Sequence, residues 1–143
     1  MNVSLESVAK TLLINEKNEV LVLTIGEYKA HPEKSFTPDL PGGRVDPGET
    51  SLVAARREMN EEAGIELAEG QFTLAYTKTE FYPKEHKSVS KFLYIARIDT
   101  TPEVTVSWEH ASYEWMPVEN LKTLELRSFY REAVDYCFET GLI

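Results

Sequence analysis

The chain has 143 residues, 42% of them hydrophobic and 27% charged, which suits one domain spanning 1–143 around one buried core. A formal net charge of -9 argues against an electrostatic grip on duplex nucleic acid and favours a small substrate. No apolar run approaches the roughly 20 residues of a membrane-spanning helix, and the first ten residues carry no export signal. These features predict a cytoplasmic protein with no membrane partner.

Lys10 to Ile14 and Val20 to Ile25 are β-rich runs around the turn signal Asn15-Glu16-Lys17-Asn18, which predicts a hairpin. Gly26 to Thr37 is polar and reads as an exposed loop, and Leu40-Pro41-Gly42-Gly43 breaks the chain before the loop from Arg44 to Gly48. A helix capped by Glu49 or Thr50 runs to about Ala63, with Leu52, Ala55 and Met59 at helical spacing and Gly64 as its stop. Phe72 to Phe81 and Ser88 to Ile98 read as long strands joined by the turn Pro83-Lys84-Glu85-His86. Tyr113 to Val118 is one more strand. A terminal amphipathic helix from about Leu126 to Glu139 points Phe129, Ala133, Val134 and the lone Cys137 inward, which gives that cysteine a packing role. The order predicts an α/β (α+β) fold, a mixed sheet sandwiched between helices.

The chemistry concentrates in the helix. Residues three and four apart are neighbours on a helix, so Glu58 has Glu61 and Glu62 beside it, at the end where the helix dipole disfavours anions. A Glu-Glu pair alone is ordinary helix surface. Three carboxylates crowded at a helix C-terminus make sense with a hard divalent cation, because magnesium takes a few carboxylate oxygens and leaves room for water and phosphate.

Together with the preceding loop, Gly43 to Ile65 resembles the Nudix box: a glycine, five residues, a glutamate, seven residues, then Arg-Glu-apolar-x-Glu-Glu-x-Gly-apolar. Seven fixed positions, each met at a frequency of about 6%, would coincide by chance roughly three times in 10⁹ starting points. The resemblance to the Nudix hydrolase superfamily (MutT-like) implies the Nudix α/β/α sandwich and Mg2+ as cofactor, with Mn2+ as a substitute. It implies that Glu58 and Glu62 ligate the metal and that Glu61 shares the site or acts on water. The backbone carbonyl of Gly43 joins them, and Arg57, paired with Glu49, orients the glutamates. Family members often add a carboxylate from a distant loop. Glu109 is the candidate here as ligand or base, with Glu114 and His110 as alternatives.

The resemblance implies hydrolysis of a phosphoanhydride in a nucleoside diphosphate linked to another group. The first expectation is a nucleoside triphosphate giving nucleoside monophosphate and pyrophosphate. ADP-ribose, dinucleotides and nucleotide-sugars are alternatives, and a regulatory module that binds nucleotide without turnover is a reading of another class. Phe36, Tyr82 and Trp108 are candidates to stack on a base, and Lys34, Lys29 or Lys84 to meet phosphate. An exposed strand edge would permit a homodimer.

Overall fold

In a computed structural model describing residues 2–143, seven strands form one mixed sheet with a helix on each face. The strands are β1 (Ser4–Ile14), β2 (Glu19–Ile25), β3 (Pro38–Asp39), β4 (Gly42–Arg44), β5 (Phe72–Tyr82), β6 (Lys87–Arg97) and β7 (His110–Pro117). The helices are α1 (Ser51–Ala63) and α2 (Ser128–Glu139). β1 runs parallel to β6 along its full length, and β5 returns antiparallel on the outer side of β6.

Strict alternation divides the core in two. Ala9 and Leu13 of β1, with Leu21 and Leu23 of β2, pack under Ala54, Ala55, Met59 and Ala63 of α1. Leu12 and Ile14, with Val20 and Val22, pack under Phe129, Ala133, Val134 and Cys137 of α2. β2 and the second half of β1 are apolar on both faces because each face is covered. Burial accordingly pushes the Cys137 thiol up to about 11.

Both helices lie within two residues of their predicted bounds. The Thr50 hydroxyl accepts the Val53 N–H at the start of α1, and Gly64 ends it in the left-handed region at φ 70°. β1 begins six residues earlier than its apolar run. Residues 4–8 are exposed or half-buried, so pairing with Lys87 to Lys91 of β6 holds them without leaving an apolar pattern. Within the polar loop of 26–37 there is one 3-10 turn, Pro32–Lys34.

The consequential feature is a fork between β1 and β2. The two strands pair at Ile14 and Val20 and then part. Residues 38–44 fill the gap, β3 pairing with β2 at Leu23 and Thr24 and β4 pairing with β1 at Val8, Ala9 and Lys10. Gly42 sits opposite Lys10 at φ +147°, and a Cβ there would lie 2.5 Å from the Lys10 Cα and run into the Ala9 carbonyl. Only a residue without a side chain allows that approach. Gly42→Ala is expected to lower stability by about 2–3 kcal/mol, read as a reduced midpoint in urea unfolding.

Candidate functional site

The C-terminal half of α1 faces the filled fork, which brings the glutamates to three different environments. Glu62 is buried, and its Oε1 accepts the Gly42 N–H at 2.8 Å. Desolvation pushes its pKa up to about 7, with Asp39 adding to the rise and Lys10, the Gly42 N–H and His110 opposing it. Glu58 lies against the backbone of Gly43: a Cβ on that glycine would sit 2.7 Å from Glu58 Oε1. Burial also raises the Glu58 pKa, Arg57 opposes the rise, and Glu61 and Glu109 reinforce it. The Glu61 side chain is 56% exposed.

Arg57 is the hub of the loop-helix unit. Its Nε and Nη2 donate to the two oxygens of Glu49 at 2.8 and 2.9 Å, and Nη2 also reaches the Arg44 carbonyl at 3.0 Å. Its Nη1 donates to Glu58 and Glu61, each at 3.1 Å. The Arg57 bonds and the Asp46 N–H pull the Glu49 carboxyl down to about 2. Among the described residues no three carboxylate, imidazole or thiol groups converge as an assembled metal cage. Glu58 and Glu61 turn to Arg57, and Glu62 turns to Gly42.

The donor set nonetheless fits a hard cation. It is all oxygen, and the missing Gly43 side chain leaves a cradle of backbone beside Glu58 that a Cβ would fill. Like charge also gathers there, because Glu58 has both Glu61 and Glu109 as electrostatic neighbours.

Glu109 is an electrostatic neighbour of Glu58 because its loop is tied to the end of α1. The terminal carbonyls of Glu62 and Ala63 accept the N–H groups of Ser107 and Thr105, and the Glu109 carbonyl accepts the Gly26 N–H. These bonds use helix-end carbonyls that have no partner within the helix. Glu109 then lines a cleft of about 370 Å³ with Asp39, His110, Lys34, Arg127 and the rim aromatics Tyr28 and Trp108. Trp108 is 91% exposed.

Of the expected substrate residues, Lys34 and Trp108 line this cleft and Phe36 and Tyr82 do not. Tyr82 lies on β5, at the opposite edge of the sheet path from β3, where its hydroxyl accepts from Lys91 and donates to Glu80. Phe36 is an exposed residue of the polar loop at φ 59°. Neither Lys29 nor Lys84 is a lining residue. Glu114 lies on β7 opposite Val22.

Of the buried charges that join the cleft to Glu62, only His110 was a sequence candidate; Lys10 and Asp39 were missed. Lys10 donates to Asp39 at 2.6 Å and to the Leu40 carbonyl at 3.2 Å, and His110 Nε2 lies 2.9 Å from the other Asp39 oxygen. Burial works against each charge, yet the partners win: Lys10 is held well above and Asp39 well below its ordinary range. Burial likewise opposes charging of His110, and the Asp39 bond with the Glu62 charge still raises its pKa. The available signal was Lys10 itself, a lone cation opening an apolar strand, since an interior lysine needs a counter-charge.

The NUDIX domain family model matches residues 5–137. The chain belongs to the NUDIX family. It is 34% identical over 106 residues to the asymmetrical bis(5'-nucleosyl)-tetraphosphatase of Mus musculus, covering 73% of this chain and 68% of that protein. It is 30% identical over 95 residues to the nucleoside triphosphatase NudI of Klebsiella pneumoniae, covering 62% and 68%. The crystal structure of a MutT protein from Methanosarcina mazei Go1 superposes with a TM-score of 0.80 at 25% identity, over 98% of both chains. As a NUDIX hydrolase the chain acts on the pyrophosphate bonds of nucleotides. No helix among its described residues is long and apolar enough to cross a membrane.

The buried pair makes a stability prediction in this NUDIX fold. Lys10→Met is expected to cost about 3 kcal/mol, because it strands Asp39 in the fork. The same change in an Asp39→Asn background is expected to cost clearly less, which a double-mutant cycle of unfolding free energies will measure.

Proposed function

We propose that the protein is a magnesium-dependent hydrolase of nucleoside polyphosphates, preferring dinucleoside tetraphosphates to nucleoside triphosphates. The observation that supports it is the juxtaposition of Glu58, Glu61 and Glu62, at the end of α1, with a cleft that carries Glu109, two cations and two rim aromatics. The similarity to the mouse tetraphosphatase supports putting dinucleoside tetraphosphates first. The similarity to the Klebsiella triphosphatase supports the second reading, a nucleoside triphosphate yielding monophosphate and pyrophosphate.

In this reading Glu58, Glu62 and the Gly43 carbonyl would hold the metal, with Glu61 sharing the site. The bound ion supplies charge neutralisation at the phosphoryl oxygens and a more acidic water. The chain's own residues do the rest. Arg57 holds Glu49 through two nitrogens as well as Glu58 and Glu61 through a third, so those two carboxylates would be free to turn to a bound ion while the Glu49 bonds keep loop and helix in register. Glu109, exposed and next to Glu58, accepts the proton of the attacking water, a role Glu61 is also placed to take. Tyr28 and Trp108 offer flat apolar faces to a nucleobase at the cleft rim.

Glu62→Gln preserves an acceptor for the Gly42 N–H and removes the negative charge. Turnover of diadenosine tetraphosphate with magnesium is expected to fall at least about 100-fold while the unfolding midpoint stays near that of the wild type. Product analysis over a panel of dinucleoside polyphosphates, nucleoside triphosphates, ADP-ribose and nucleotide-sugars decides the substrate order. Binding without turnover of any of them by the wild type would support a regulatory module and overturn the hydrolase reading.

A further inference from the structure

The cleft carries two full positive charges on separate parts of the chain, Lys34 in the 3-10 turn and Arg127 immediately before α2. The Lys34 ammonium stands 6.0 Å from the centre of the Tyr28 ring. Arg127 differs from every other arginine of the protein. Arg44 pairs with Glu6, Arg57 with Glu49, and Arg131 with Asp135, while Arg56 and Arg97 donate to the carbonyls of Leu67 and Leu142. The exposed Arg127 side chain makes no hydrogen bond or ion pair among the described residues.

The carboxylates around the cleft leave that charge unanswered. Glu109 belongs to the glutamate end, beside Glu58. Asp39, toward Arg127, is already matched by Lys10 at 2.6 Å and by His110 at 2.9 Å. Glu27 is exposed on the wall and is screened by solvent. The cleft therefore combines Glu109, a neighbour of the α1 glutamates, with free positive charge that the protein itself supplies on Lys34 and Arg127.

We infer that Arg127 is a specificity-determining residue that reads phosphate-chain length, binding a phosphate beyond those held at the glutamates. The guanidinium fork suits a phosphate's paired oxygens, and its exposure keeps the cost of desolvation low. The inference rests on the proposed hydrolase reading. It gives chains of four phosphates an anchor that a two-phosphate linkage does not reach.

Steady-state kinetics of the wild type, Arg127→Ala and Arg127→Lys, with diadenosine tetraphosphate and the two-phosphate diadenosine diphosphate as substrate or competitive inhibitor, tests it. Arg127→Ala is expected to raise KM for the tetraphosphate about tenfold with kcat within twofold. It should leave the KM or inhibition constant of the diphosphate within twofold, and Arg127→Lys should recover part of the loss. Calorimetric titration of tetraphosphate into the same proteins in EDTA is expected to show weaker binding to Arg127→Ala. An unchanged KM, or equal losses for both ligands, overturns the inference. If the wild type hydrolyses no nucleotide, the hydrolase reading fails instead, and the calorimetric comparison alone decides the role of Arg127: no difference there overturns it.

Discussion

The site depends on one close backbone approach, that of Gly42 to Lys10 across the fork between β1 and β2. A sheet whose central strands part would ordinarily leave unpaired N–H and C=O groups in the interior, at a cost too high for a stable fold. Residues 38–44 satisfy them from both sides, and Gly42 lets β4 come close enough to do so. The same backbone then presents the Gly42 N–H to Glu62 and the Gly43 main chain to Glu58. Two adjacent glycines thus serve different ends, one admitting the strand and the next admitting a carboxylate.

Filling the fork brings charge inside. Asp39 enters with β3, and its burial is tolerable because Lys10 on the neighbouring strand and His110 at the start of β7 converge on its two oxygens. Such pairs seldom add net stability over apolar packing, but removing one member leaves an uncompensated buried charge. The network also feels Glu62, which Lys10 and His110 draw toward ionisation and Asp39 pushes away from it. The buried polar groups consequently link the wall of the cleft to the least exposed glutamate of α1.

The parts legible from sequence were those with local rules. α1 and α2 follow from 3.6-residue periodicity, with Thr50 and Gly64 giving the bounds of the first, and the clustering of Glu58, Glu61 and Glu62 follows from helix geometry. The first half of β1 left no trace because backbone pairing, not burial, holds it. β3 and β4, two and three residues long, are too short for any period to show. Lys10 and Asp39 are 29 positions apart, so their pairing is a product of topology. The same holds for Tyr28 and Arg127, which share the cleft's wall only because β2 and the start of α2 close on it.

This division of rigid and movable parts bears on how a cluster of acids persists at a helix end. Glu62 is fixed by burial and a backbone hydrogen bond, whereas Glu58 and Glu61 share a single nitrogen of Arg57. Arg57 holds Glu49 through its other nitrogens, so the tie between loop and helix does not depend on the bonds to Glu58 and Glu61. The repulsion that would fray an isolated helix is thereby balanced by a side chain of α1 itself. The helix can carry its acids folded, and the loop that bears Glu109 is anchored to the α1 carbonyls through the N–H groups of Thr105 and Ser107.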